Sequence, residues 1–277
     1  MKMARILLLM VLLGTVCWSP ASSLKISAFN VQTMGKAKMD KPEVVTILTD
    51  IILKYDMVLI QEIRDSSQVA IYELLDEVNS VSSQQYDIRM STRAGRSSYK
   101  EQYAFFFKTD NMTVVDSFEY PDDGDKFERE PFVVLFDAPS TAVGQFAAMA
   151  LHAKPDDAVA EIDLTTDVYD YTVSQWGIND VVIMGDLNAD CDYVRDEDWT
   201  NIRLRSESRF EWVIPDDADT TVSGNTDCAY DRFVLAGTQL CNSYSQPAVF
   251  KFDDFYNLDY YAAKDVSDHY PVELNLD

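Results

Sequence analysis

Apolar positions recur along this chain in two rhythms that divide it into strands and helices. Leu24–Val31 alternates, with Ile26, Ala28 and Asn30 on one face, the period of a strand. Pro42–Tyr55 follows, with Val45, Leu48, Ile51, Ile52 and Tyr55 at helical spacing. Met57-Val58-Leu59-Ile60 is a continuous apolar run, as expected of a strand buried on both faces. Val69–Val78 reads as a second helix with Ile71, Leu74 and Leu75 inward. Tyr103–Phe107, Thr113–Phe118, Phe132–Phe136 and Phe146–Leu151 read as strands. A third helix is expected over Ala158–Trp176, after which Val181-Val182-Ile183-Met184 repeats the buried-strand run. Phe210–Ile214, Ala229–Ala236, Ala248–Phe252 and Tyr270–Leu276 make the last third strand-rich. No internal repeat or Gly/Ser/Pro linker interrupts this series, and the densest charge cluster, Asp122–Glu130, reads as a solvated loop. Strands with interspersed helices predict one domain of two packed sheets flanked by helices, in the α/β or α+β range.

The first residues stand outside that pattern. Met1-Lys2-Met3-Ala4-Arg5 is a short basic start, Ile6–Leu13 is unbroken apolar sequence, and Pro20-Ala21-Ser22-Ser23 is rich in small residues. This is the shape of a secretory signal peptide, and the apolar run is too short to span a bilayer. Residues 1–23 are therefore read as a signal peptide and 24–277 as the domain of a secreted, extracellular protein with no membrane partner. The chain has 277 residues and a formal charge of −24, with 47% hydrophobic and 12% aromatic residues, which excludes disordered, collagenous and low-complexity classes. The leader holds two positive charges and no negative ones, so without it the balance is −26. Export leaves Cys191, Cys228 and Cys241, an odd number: one pair is expected to form a disulfide, and one thiol stays free or buried.

The polar residues of interest fall where core strands end. Asn30 follows Ala28-Phe29, Gln61-Glu62 follows Val58-Leu59-Ile60, and Asp186 and Asn188 follow Val182-Ile183-Met184-Gly185. His152 follows Ala150-Leu151, and Asp268-His269 precedes Tyr270-Pro271-Val272. Such groups are expensive to bury unpaired, so five strand ends of this kind predict convergence on one site at one rim of the sheets. Only two histidines exist, His152 and His269, and both belong to this set. Two imidazoles with pKa near neutrality suit a general acid and a general base. The oxygen donors of Glu62, Asp186, Asn188, Asp268 and Asn30 suit a hard divalent cation, Mg²⁺ or Ca²⁺. Histidines beside such a cation point to hydrolysis of a phosphate ester.

These segments resemble the deoxyribonuclease I family. The resemblance is carried by Leu24–Asn30, Leu59–Asp65, Ser98-Tyr99-Lys100-Glu101, Leu151-His152, Asp157–Ile162, Met184–Cys191, Cys228–Arg232 and Ser267–Glu273, in collinear order over essentially the whole chain after the leader. It implies a four-layer α/β sandwich, two central mixed β-sheets flanked by helices. It implies that His152 with Glu101 protonates the departing 3′ oxygen, and that His269 with Asp231 takes a proton from the attacking water. Glu62, Asn30 and Asp268 would hold one cation, and Asp186 and Asn188 the phosphate or a second cation. Products would be 5′-phosphorylated fragments of double-stranded DNA. Mg²⁺ and Ca²⁺ are the implied cofactors, with Mn²⁺ as a substitute. Cys191 and Cys228 would form the disulfide, and Asp219, Thr221 and Ser223 resemble a family calcium site. Arg96 and Tyr99, in the loop Thr92–Tyr99, would enter the minor groove, and Arg64 and Arg129 would meet phosphates. Minor-groove readout is degenerate, so little sequence specificity follows.

Several departures accompany the resemblance. Gln32 stands where better-known members carry Arg, the acidic loop Asp122–Glu130 is short and lacks a second disulfide, and Cys241 is extra. A charge of −26 opposes DNA binding, which normally relies on basic patches, and so predicts weak binding and rapid product release. Monomeric actin, which holds some mammalian relatives inactive, is expected to be a weak partner at most, because Arg89 replaces an apolar residue along Tyr86–Ser91. A monomer is expected. Two alternatives stand beside this reading: a phosphoesterase of the same scaffold acting on sphingomyelin or inositol phosphates, and a catalytically inactive binding relative. The first would need membrane-inserting apolar loops or a basic headgroup pocket, and the second a broken site.

Overall fold

A computed structural model describes residues 23–277, so the predicted leader, apart from Ser23, lies outside the described residues. The strands are β1 (Leu24–Met34), β2 (Met57–Ile63), β3 (Tyr86–Met90), β4 (Gln102–Lys108), β5 (Thr113–Glu119) and β6 (Phe132–Ala138), then β7 (Gly144–Ala150), β8 (Val181–Asp186), β9 (Phe210–Trp212), β10 (Asp231–Ala236), β11 (Tyr244–Val249) and β12 (Val272–Leu276). They form two six-stranded sheets, ordered β11-β12-β1-β2-β4-β3 and β5-β6-β7-β8-β10-β9. Each sheet contains one parallel pair, β1 with β2 and β7 with β8, joined by a helical crossover, and is otherwise antiparallel.

Alternation along the strands builds the layers. Ile26, Ala28, Met57, Leu59, Phe105 and Phe107 of the first sheet meet Phe132, Val134, Phe136, Ala148, Val182 and Met184 of the second in one buried cluster. The opposite face of the first sheet, with Phe29, Val58, Ile60 and Phe106, is covered by helices Pro42–Ile52 and Val69–Val81. Helix Ala158–Trp176 covers Val133, Met149, Ile183 and Val234 on the outer face of the second. The result is helices, sheet, sheet, helices: the four-layer sandwich.

Most elements fall where the periodicity places them, and the differences have local causes. The first helix stops at Ile52, not Tyr55: Lys54 and Tyr55 close the end with three-residue turns, and Tyr55 is buried beside the sheet. The expected strand Ala248–Phe252 is instead β11, displaced towards the N-terminus, followed by helix Phe252–Tyr256, whose Phe252 is wholly buried. A short apolar run is compatible with either element, and packing decides it. The run Asp122–Glu130 is not merely a solvated loop. Phe127 is 1% exposed, and its N–H donates to Asp122 Oδ2 at 2.7 Å.

One contact between the sheets sets the geometry of the rim. Gln61, wholly buried at the end of β2, donates from Nε2 to Leu151 O at 2.8 Å and accepts from Asp186 N at 2.9 Å. Its amide thus bridges both sheets directly below the polar strand ends. Gly185 makes room for it, with φ +133° and a position where a Cβ would lie 2.3 Å from Leu151 O.

Candidate active site

The sequence places Gln61 and Glu62 side by side in a strand, where alternation would turn them to opposite faces. Both nevertheless serve the rim. The β1–β2 register shifts beyond Asn30, and Gln32, Thr33 and Glu62 take left-handed backbone angles (φ 47°, 57° and 59°). Non-glycine residues adopt that region at a cost, and here it carries Glu62 round to the inter-sheet side. Thr33 N then donates to Glu62 Oε2 at 2.9 Å.

Asn30, fully buried in β1 where the register with β2 shifts, ties the site together. Its Nδ2 donates to Glu62 Oε1 at 3.3 Å and to Asp186 Oδ2 at 3.1 Å, so one amide spans both sheets. Around Asp186 stand the two histidines, His152 Nε2 at 3.4 Å and His269 Nε2 at 3.6 Å from Oδ2. Each imidazole is backed by a second carboxylate: His152 Nδ1 meets Glu101 Oε2 at 2.9 Å, and His269 Nδ1 meets Asp231 Oδ2 at 2.7 Å. The Nδ1 contacts fix both rings with Nε2 facing the centre.

The charges are unequally distributed. Burial works against ionised Glu101, but the His152 hydrogen bond, His152, Arg129 and Arg64 outweigh it and hold the carboxyl at about 2. Arg64 reaches Glu101 Oε1 at 3.0 Å and Glu62 Oε2 at 3.0 Å, while Arg129 Nε reaches Glu101 Oε2 at 3.0 Å. Asp231 is wholly buried, and burial raises its pKa. Burial also disfavours charged His269, yet Asp231 and Asp186 push its pKa up to about 10. Asp186 is lowered despite burial, by His269, His152, the Asn188 N–H and Asn30.

The donors fit a hard divalent cation. Glu62, Glu101 and His152 bring ligand atoms within 4.8 Å of one another, as do Asp186, Asp231 and His269. The oxygen-rich groups facing the centre are Glu62 and Asp186, held together by Asn30. Asn188 has a left-handed backbone (φ 49°), donates its N–H to Asp186 Oδ1 at 3.0 Å, and its Nδ2 bonds Ala153 O. Asp268 lies at the edge, 4.0 Å from His269 Nε2, with Oδ2 taken by Gln32 Nε2 at 2.6 Å. Gln32 thus orients Asp268.

The residues expected to grip DNA differ in what they are free to do. Tyr99 is 73% exposed, and Arg64 lies over its ring at 5.9 Å. Arg96 is turned into the acidic loop, paired with Asp125 at 3.1 Å and Asp157 at 3.9 Å. Arg129 is only 11% exposed and also bonds His152 O at 3.2 Å. Its first partners are Glu101 and the His152 carbonyl, contacts that its place in a charge run concealed. Of the residues expected to hold calcium, the structure brings Asp219 and Thr221 into contact. Asp219 Oδ1 accepts from Thr221 N and Oγ1, Oδ2 pairs with Lys251 Nζ at 3.0 Å, and Ser223 Oγ caps Asn225 and Thr226. Cys191 and Cys228 are bonded, and Cys241 is a free, half-buried thiol whose pKa burial pushes up to about 11.

Comparison with known proteins identifies the family. Residues 27–269 match the model of the Endonuclease/Exonuclease/phosphatase family. The chain is 47% identical over 262 residues to deoxyribonuclease-1 of Bos taurus, covering 92% of each chain. It is 44% identical over 258 residues to deoxyribonuclease-1-like 2 of Mus musculus, again covering 92% of each. Among solved structures, a family protein from Leptotrichia buccalis superposes with a TM-score of 0.65 at 14% identity, covering 92% of this chain and 99% of that one, a likeness of fold. The chain therefore belongs to the Endonuclease/Exonuclease/phosphatase family and, within it, to the deoxyribonuclease I group.

Proposed function

We propose that this protein is a secreted, divalent-metal-dependent endonuclease that hydrolyses DNA phosphodiester bonds with little sequence preference, leaving 5′-phosphorylated products. The observation that carries the reading is the approach of two carboxylate-backed imidazoles to one oxygen of Asp186, at 3.4 and 3.6 Å, beside the Glu62–Asn30 pair. A phosphate centred there would meet one proton donor and one proton acceptor on opposite sides. His152, oriented by Glu101, protonates the departing 3′ oxygen, and His269, oriented by Asp231, takes the proton of the attacking water. Glu62 and Asp186, with Asn30, Asn188 and Asp268 around them, are the residues that would hold Mg²⁺, Ca²⁺ or Mn²⁺. A bound cation would supply positive charge to the phosphate oxygens and, by neutralising Asp186, release His269 towards its neutral, proton-accepting form.

Tyr99 offers exposed surface for the minor groove, and Arg64, beside it and paired with Glu62 and Glu101, meets the phosphate. The charge of −26 that remains without the leader makes that contact weak and salt-sensitive. Residues 1–23 act as the export signal and 24–277 as the one working domain, a monomer. None of the helices among the described residues is long and apolar enough to cross a membrane. The deciding experiment is a plasmid digest with Mg²⁺ and Ca²⁺ against sphingomyelin and inositol-phosphate controls. Nicked and linear DNA is expected. Turnover of a lipid or inositol phosphate in place of DNA, or no turnover of any substrate, would overturn the reading in favour of one of the two alternatives.

Actin is expected to bind weakly. On β3, Arg89 points away from Ile88 and Met90 and donates Nε to Ser117 Oγ of β5 at 2.8 Å, bridging the open edges of the two sheets. Burying that guanidinium in a dry contact breaks the bond and costs about several kcal/mol unless a carboxylate meets it. Titrating monomeric actin into a DNA digest should leave the rate unchanged. Stoichiometric inhibition at nanomolar concentration would refute this.

A further inference from the structure

Neither proton-transfer pair uses Glu161. It lies in the first turn of helix Ala158–Trp176 and is wholly inaccessible to solvent. Its two oxygens serve two different segments: Oε1 accepts the N–H of Glu128 at 2.8 Å, and Oε2 accepts the N–H of Lys154 at 3.1 Å. The first amide adjoins Arg129, and the second follows His152 by two residues. Among the described residues, no lysine or arginine forms an ion pair with Glu161. A buried carboxylate without a cation partner is costly, and an apolar residue would fill the space without that cost. What the carboxylate supplies, and an apolar residue cannot, is two acceptors on one rigid helix.

We propose that Glu161 is a positioning residue: it pins the Arg129 loop and the His152 segment to one point on the helix and so holds Arg129 against Glu101. The inference rests on the DNA-hydrolysis reading for its effect on rate, though not for its effect on the loops. Arg129 reaches Glu101 Oε2 at 3.0 Å and His152 O at 3.2 Å, and both contacts need the backbone at 128–129 to stay in place. Protonation of Glu161 turns one acceptor oxygen into a hydroxyl donor, so one of the two amides loses its partner. The groups acting on its charge are those two N–H groups and Arg129, which favour it, and Asp157, which opposes it; Arg96 and Tyr103 respond to it in turn. Burial dominates and pushes the carboxyl up to about 7.

The test compares wild type with Glu161→Gln, which keeps the shape but has a single acceptor, and Glu161→Asp, which keeps the charge on a shorter arm. Hydrogen exchange, corrected for intrinsic rates, is followed in segments 122–130 and 152–156 together with plasmid nicking. In wild type, protection of these segments and kcat should both fall as pH drops from about 8 to about 6. Glu161→Gln should show lower protection than wild type at the upper pH and converge with it towards pH 6, with kcat down roughly tenfold at the upper pH and without the part of the pH dependence that Glu161 contributes. KM for DNA should move less than kcat. Glu161→Asp should retain the pH limb with weaker protection, separating lost charge from lost fold. Matching protection and kcat in wild type and Glu161→Gln across this range would overturn the proposal. If wild type cleaves no DNA but the exchange difference persists, the DNA reading fails and the pinning stands.

Discussion

The two imidazole–carboxylate pairs face the same oxygen of Asp186 but are anchored in opposite ways. Glu101, on the first sheet's side, is gripped by the guanidinium groups of Arg64 and Arg129, which help hold its carboxyl at about 2. Asp231, at the start of β10, is sealed inside the second sheet, and among the described residues no lysine or arginine pairs with it. There the countercharge is the imidazole itself, and His269 is pushed up to about 10. The pair with arginines has its charge balanced before any proton moves. The pair without them has it balanced only while His269 stays protonated. Similar residue types therefore suit different tasks: a rigid, charge-neutral mount on one side, and on the other a proton site that responds to charge placed near Asp186.

The largest way to break the comparison is to remove either ring. His152→Ala or His269→Ala should each lower the DNA-cleavage rate by roughly a hundredfold or more, since each removes one proton-transfer group of the proposed mechanism. Near-normal cleavage by either variant would dissolve the pairing altogether.

Changing the anchors sharpens it. Arg129→Met removes one clamp from Glu101 but leaves Arg64, so kcat should fall by about tenfold or less, with the Glu101 carboxyl moving up towards the ordinary range. Asp231→Asn removes the principal carboxylate at His269 and should cost more, with the His269 pKa dropping by units. NMR titration of the ring, on cation-free protein, reads this directly. An unchanged His269 pKa in Asp231→Asn would show that Asp186 alone sets it.

The smallest effect is on stability. His269 is raised from 6.5 to about 10, so its contribution is fully present below pH 6.5 and is lost as pH rises through 10. Glu101 is lowered from 4.5 to about 2, so its contribution is present above pH 4.5 and lost as pH falls through 2. Cation-free wild type should therefore lose melting temperature on the alkaline side by roughly 5 °C or more between these limits. His269→Ala should flatten that slope and leave the acid side intact. A chelated wild type with no alkaline decline would contradict the charge assignment of the second pair.

How much of the site the sequence revealed depended on whether a residue's role could be seen within its own strand. Asn30, Glu62, Asp186, His152 and His269 were legible because each polar group ends an apolar run, and the structure brings all five together. Arg129 stands in a charge run, and its hold on Glu101 and His152 is not visible there because it needs the Asp122–Glu130 loop folded back. Arg64's second contact, to Glu101, and Gln32's to Asp268 belong to the same class. Asp219 carried no sign in the sequence that Lys251, thirty-two positions on, would take its free oxygen.

By itself the sequence determined most of the element series and strand faces, the family and the set of residues at strand ends, because periodicity and burial cost act within a few neighbouring positions. The tertiary structure alone decided which strand ends oppose one another. Gln61 and Asn30 meet Asp186 across more than a hundred residues of chain, and the bulge at Glu62 reverses the face that alternation gives it. Those contacts arise from packing two sheets against each other, and the spacing of residues along one strand carries no information about the register of the other sheet.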